Sequence, residues 1–129
     1  MKLYTYSYSN AYVPAMPMVE LGVSRPGSRQ PDQTVAAVID SGADGTLLPI
    51  DVLETVGAGY VGEAVIRGIS GAGQHVSMYL TSLHVGPQAL HAIRVVAVPE
   101  GSESIVGRNV LQFLTVTLNG PAGVTEINV

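Results

Sequence analysis

The sequence predicts an all-β fold, and two observations carry that reading. Glycine and proline punctuate the chain often, with 15 and 8 residues among 129. The segments between them are short and rich in Val, Ile, Leu and Thr, which suit a pleated, half-buried surface. A chain of this length is expected to form one domain, residues 1–129, around one core.

Taken in order, residues 1–10 are rich in Tyr and Ser and receive no strand; residues 1–12 are expected to be flexible. Met16 to Ser24 reads as the first strand. Arg25 to Gln33, with Pro26, Gly27 and Pro31, reads as a polar loop. Thr34 to Ile39 is a continuous apolar run that stops at Asp40, the pattern of a strand covered on both faces. Leu47 to Val56 has room for a short helix or turn, with Pro49 near its start. Glu63 to Ile69 and Gln74 to Leu80 flank Ser70-Gly71-Ala72-Gly73, so they read as a hairpin. Leu80 to Val85 and Ala92 to Val98 are further strands, separated by a turn at Gly86-Pro87. Arg108 to Phe113 has room for one or two helical turns. Leu114 to Asn119 and Val124 to Val129 close the chain as strands around Gly120-Pro121.

Composition narrows the function. Charged residues make up only 12% against 47% hydrophobic, where about 25% charged is usual for soluble domains. Such a chain exposes apolar area, as a subunit interface or an apolar substrate groove would. The formal net charge of −4 and six scattered basic residues argue against nucleic acid as a partner, because phosphate binding needs clustered Lys and Arg. With no cysteine, disulfides and thiolate chemistry are excluded. No apolar run approaches the roughly 18 residues that span a membrane, and residues 1–10 lack the apolar stretch of a signal peptide. The expectation is a soluble, cytoplasmic protein.

The segment Ala37-Val38-Ile39-Asp40-Ser41-Gly42-Ala43-Asp44 carries the candidate chemistry. An acid directly after a buried apolar strand sits where water is scarce. Ser41 and Gly42 allow a tight turn there. Two readings are open at this point: a catalytic carboxylate, or an Asx-turn in which Asp40 bonds backbone N–H groups.

Val38-Ile39-Asp40-Ser41-Gly42-Ala43-Asp44, continuing into Thr46-Leu47-Leu48-Pro49, resembles the retropepsin family of aspartic peptidases, whose signature is an apolar strand followed by Asp-Thr/Ser-Gly-Ala. The family's second element, an apolar pair followed by Gly-Arg-Asn/Asp and a short helix, has its counterpart in Ile105-Val106-Gly107-Arg108-Asn109-Val110-Leu111. The distance from Asp40 to Ile105 is 65 residues, of the size the family shows. Between them, Gly68-Ile69-Ser70-Gly71-Ala72-Gly73 lies where the family carries a Gly-rich hairpin flap.

The resemblance implies a retropepsin-like acid-protease barrel with one short C-terminal helix. It also implies an endopeptidase that uses two aspartates and water. Two carboxyls held about 3 Å apart share one proton, so one acts as base and the other as acid. This chain has one Asp-Ser-Gly, so the resemblance implies a homodimer in which Asp40 meets its symmetry mate. It assigns Ser41 and Gly42 to support of the dyad. It assigns Gly42, Ala43, Asp44, Ile69, Ser70 and Gly71 to an extended peptide or protein substrate. Asp44 would pair with Arg108, which would anchor the loop structurally. Ala43, Ile69, Val98 and Val106 are candidate pocket walls. No cofactor and no metal is implied.

The sequence departs from the family in places. Ser stands at position 41 where Thr is commoner, and Gly45 stands where viral members often have an acid. The segment from Asn119-Gly120-Pro121 to Val129 runs beyond the short terminal strand that interleaves between subunits in viral members. His75, His84 and His91 lack metal-binding spacing, Ser41 lies outside a Gly-x-Ser-x-Gly elbow, and neither a phosphate loop nor a dinucleotide fingerprint is present. Two rivals remain: a retropepsin-like module that binds peptides or dimerises with little turnover, and a structural all-β domain.

Overall fold

The computed structural model describes residues 2–68 and 70–128. Ten strands and two short helices follow in the order β1 (Leu3–Ser7), β2 (Met18–Ser24), β3 (Gln33–Ile39), β4 (Thr46–Pro49), α1 (Ile50–Val56), β5 (Gly59–Arg67), β6 (Gly73–Val85), β7 (Gln88–Val98), β8 (Ser104–Val106), α2 (Arg108–Leu111), β9 (Thr115–Asn119) and β10 (Val124–Asn128). Strands β2-β3-β8-β4-β7-β6 form a ring, closed where β2 also pairs with β6, and β5 hangs outside as the hairpin partner of β6. This six-stranded closed barrel is the retropepsin-like acid-protease architecture. A second sheet, in the order β1-β10-β9, packs beside it.

The core is aliphatic. Leu21, Val23, Leu48, Leu53, Leu83, Val95 and Val110 have no measurable exposure or close to none, and closing the barrel removes the strand edges that would otherwise expose them. α1 starts after Pro49, whose missing N–H is no loss at a helix start. It ends at Gly57, whose φ of 77° lets its N–H return to the Glu54 carbonyl. Val52, Leu53 and Val56 bury one side of α1.

The short C-terminal helix that the resemblance implies is α2, and α1 takes up the helix option left open for Leu47 to Val56. Several expectations are corrected by this architecture. Gln74 to Leu80 and Leu80 to Val85 are not two strands but one, the 13-residue β6. Its first part pairs with β5, and Ser82, Leu83 and His84 pair with β2. The register slips between Thr81 and Leu83 on the β7 side, so a break exists in the ladder without a break in the strand. β3 is not covered on both faces along its length: Thr34 and Ala36 are exposed, while Ala37 and Val38 are buried. Residues 3–7, expected to be flexible, form β1 in full register with β10. Tyr4 and Tyr6 alternate inward against the core and supply the apolar face that an aliphatic pattern would have announced.

Candidate active site

Asp40 follows β3 directly, and parallel pairing fixes where it lies. Ala37, Val38 and Ile39 pair with Ser104, Ile105 and Val106 of β8, and the Asp40 N–H donates to the Val106 carbonyl at 3.0 Å. The acid is thereby set beside Gly107. The chain then turns back: the Ala43 N–H reaches the Asp40 carbonyl at 3.2 Å, and the Gly42 N–H donates to Asp40 Oδ1 at 2.9 Å. That last bond is the Asx-type contact considered above, and it orients the carboxylate as it caps the turn. Asp40 is half-buried, while Ser41 and Gly42 are exposed.

The Gly107-Arg108-Asn109 turn is stitched onto this loop. The Arg108 N–H donates to the Ala43 carbonyl at 2.8 Å and the Asn109 N–H to the Asp44 carbonyl at 3.2 Å. Thr46, fully buried, accepts from the Gly107 N–H at 3.2 Å and donates to Asn109 Oδ1 at 2.8 Å. Asn109 Nδ2 extends the network to the Arg94 carbonyl at 2.9 Å. Gly107 has no room for a side chain, because a Cβ there would lie 2.1 Å from the Gly45 carbonyl oxygen. The glycine is required by this close approach and not by its φ of −98°.

The Arg108 side chain joins the same loop from outside. Its Nη1 donates to the Ser41 carbonyl at 2.8 Å, and its Nη2 is ion-paired with Asp44. Both side chains are solvated, at 54% and 93% exposure, so the pair contributes geometry more than stability. Asp44 and Arg108 are therefore brought together, as the resemblance implies. The Ser41 hydroxyl makes no hydrogen bond within the chain among the described residues.

A cleft of about 460 Å³ opens over this loop. Gly42, Ala43, Asp44 and Gly45 form one side, and Val65, Ile66 and Arg67 of β5 form the other. Leu47 and Val96 line it as well; they belong to β4 and β7, which pair in parallel. A neighbouring cleft of about 400 Å³ is lined by Val98, Ile66 and His75 among others. Val106, expected as a wall, is 1% exposed and belongs to the core. Ile69 lies outside the described residues. Ser70 and Gly71 stand at the hairpin tip, where Arg67 Nη1 donates to the Gly71 carbonyl at 3.2 Å, and neither borders the clefts. Leu47, Val65, Ile66 and Val96 are lining residues that the sequence reading missed.

Elsewhere, Glu63 accepts from Ser77 at 2.8 Å and from Tyr60 at 2.9 Å, contacts that hold its carboxyl below the usual range. His84 is 6% exposed and shares a hydrogen bond with Ser24 Oγ at 2.8 Å. Burial lowers its proton affinity, His91 lowers it further, and Asp32 opposes both. Among the described residues no cluster of three or more His, Asp or Glu could hold a metal ion. Among the described residues no helix is long and apolar enough to cross a membrane.

A closed β-barrel with an Asp-Ser-Gly turn locked to a Gly-Arg-Asn turn defines a retropepsin-like aspartic-peptidase fold. The chain belongs to the family described as gag-polyprotein putative aspartyl protease, whose sequence profile matches residues 31–113. Solved structures agree at the level of fold. A retropepsin-like aspartic protease from Rickettsia conorii superposes with a TM-score of 0.65 at 10% identity, covering 98% of this chain and 90% of its own. The EIAV protease, complexed with the inhibitor HBY-793, gives 0.60 at 17% identity over 84% of this chain and 93% of its own. The simian foamy virus (mac) protease gives 0.53 at 20% identity over 74% and 92%. No curated protein matches in a sequence search.

Proposed function

We propose that the chain is an aspartic endopeptidase, active as a homodimer, with Asp40 from each subunit forming the dyad. One observation carries this reading. The Asp40 carboxylate is oriented by the Gly42 N–H in a loop stitched to the Gly107-Arg108-Asn109 turn, and a cleft faced by the β5–β6 hairpin opens over that loop.

In the proposed cycle the ionised Asp40 takes a proton from water as the water oxygen attacks the peptide carbonyl carbon. The protonated Asp40 of the other subunit gives its proton to the carbonyl oxygen. As the tetrahedral species collapses, the proton held by the first Asp40 passes to the amide nitrogen, the C–N bond breaks, and one hydroxyl returns its proton to the dyad as the new carbonyl forms. Gly42 and its neighbours would meet an extended substrate through main-chain hydrogen bonds, and the half-apolar cleft beneath β5 would select side chains. The hairpin tip at Ser70 and Gly71 would close over the substrate.

The test is Asp40→Asn. Cleavage of a broad peptide library should be abolished, while far-UV circular dichroism and solution mass stay unchanged. Wild-type activity should follow a bell-shaped pH profile whose limbs belong to the coupled pair. A folded dimer that binds peptides but cleaves none between about pH 3 and 7, the range in which carboxylates titrate, would establish the binding module instead.

A further inference from the structure

We propose that Arg67 sets the specificity of the cleft, selecting polypeptides that carry an aspartate or glutamate within a few residues of the bond to be cut. The inference rests on reading Asp40 as half of a peptidase site, and names the substrate class of that site.

Charge on the cleft walls is the first ground. The charged residues lining the cleft over the Asp40 loop are Asp44 on one side and Arg67 on the other. Asp44 is ion-paired with Arg108, and Gly45 beside it brings no charge. Arg67 is exposed and has no such partner, because among the described residues Asp44 and Arg108 make the only ion pair. Glu63 is the only acid in β5. Strand rise of about 3.3 Å per residue sets it roughly 13 Å from Arg67, where solvated charges are largely screened. The Glu63 carboxylate is also taken up by Tyr60 and Ser77. The cleft is left with an uncompensated positive charge on its β5 wall.

Geometry is the second ground. β5 is the end strand of its sheet, so its edge away from β6 is unpaired. Val65, Ile66 and Arg67 line the cleft consecutively, although successive side chains of a strand point to opposite faces. The cleft therefore runs along the free edge of β5, and an extended peptide seated there passes the Arg67 side chain. Gly73, the cross-strand partner of Arg67, leaves room for the guanidinium: an added Cβ would lie 3.1 Å from Nη1. Nη1 donates to the Gly71 carbonyl at 3.2 Å. That bond holds the side chain at the rim and leaves the rest of the guanidinium fork open. A carboxylate fits the open fork with two oxygens and an opposite charge, whereas an amide offers one oxygen and no charge. A substrate lysine there would meet a like charge. Each subunit of the proposed dimer supplies its own Arg67, so an acid is recognised on either side of the cut bond.

The test walks a single glutamate, against glutamine as its neutral isostere, through a peptide that the wild-type protein cleaves. At about pH 6, where a free glutamate is ionised, glutamate at one or more positions should raise kcat/KM about tenfold, the size of one charge-assisted contact. The preference should vanish below about pH 4, as the substrate carboxyl takes up a proton. Arg67→Gln should erase the preference, and Arg67→Glu should turn it toward lysine. Arg94→Gln changes an arginine that does not line the cleft and should keep it. Equal cleavage of glutamate and glutamine peptides at every position, or a preference that survives Arg67→Gln, would overturn the role of Arg67 and leave the peptidase reading standing. If no peptide is cut, the peptidase reading falls, and fluorescence anisotropy of the same labelled peptides decides the rest. Tighter binding of the glutamate peptide, lost in Arg67→Gln, would sustain the acid-selecting site on a chain that binds without cleaving. Binding that ignores the charge, or no binding, would overturn both.

Discussion

Gly107→Ala should be the most damaging single-methyl change in the site, and the reason is steric. The added Cβ would meet the Gly45 carbonyl oxygen at 2.1 Å, the Gly45 carbonyl carbon at 2.6 Å and the Ala43 carbonyl oxygen at 2.8 Å. All three are backbone atoms, so no rotamer can relieve the clash. The two turns must move apart, and the bonds Arg108 N–H to Ala43, Asn109 N–H to Asp44 and Gly107 N–H to Thr46 lengthen together. Overpacking costs about 1–3 kcal/mol. Weakening two or three hydrogen bonds adds about 1 kcal/mol each. A total of about 3–6 kcal/mol is a large part of the roughly 5–15 kcal/mol that holds a typical domain together. Urea unfolding followed by circular dichroism measures it. Gly120→Ala is the control, because a Cβ there meets nothing within 4 Å, and it should change stability by less than about 0.5 kcal/mol. A Gly107→Ala protein as stable as wild type would refute the packing argument.

Other outcomes follow from the same contacts. Thr46→Val leaves the buried Gly107 N–H without an acceptor and Asn109 Oδ1 without a donor and should cost about 1–3 kcal/mol in urea unfolding. Thr125→Val should be neutral or stabilising in the same assay, because the buried Thr125 hydroxyl has no hydrogen-bond partner. Arg108→Lys should change stability by no more than about 1 kcal/mol, since the ion pair is solvated. It should still lower peptidase activity, because an ammonium cannot span Asp44 and the Ser41 carbonyl as a guanidinium does. For His84, the folded state lowers proton affinity, so below about pH 6.5 the unfolded chain binds more protons. Stability should therefore fall as pH drops through about 6.5, by at most about 1.4 kcal/mol per pH unit from this group, and His84→Gln should flatten that part of the curve.

The parts of the site legible in the sequence are those where backbone chemistry dictates residue type. Asp40-Ser41-Gly42 needs a short acid and small neighbours to cap its own turn, and Gly107 needs to be glycine because the Gly45 carbonyl lies against it. Arg108 and Asn109 are legible with it. Thr46 is not, because a buried threonine in an apolar run looks like any strand residue until Asn109 is folded against it. Leu47 and Val96 were missed because pairing of β4 with β7, distant in sequence, is what sets them in the cleft. β1 was missed because its inward face is tyrosine. β6 was divided because a register slip at Thr81 falls inside one strand.

That undivided β6 has a mechanical consequence. One end of the strand is an arm of the hairpin that stands over the cleft, and the other, through Ser82, Leu83 and His84, is the bolt that closes the barrel against β2. A strand of 13 residues is a stiff lever with its fulcrum where β7 loses register. Swinging the hairpin outward therefore loads the barrel closure at the far end, and whatever loosens that closure slackens the hairpin's anchorage. The cover of the cleft and the integrity of the barrel are two ends of one beam.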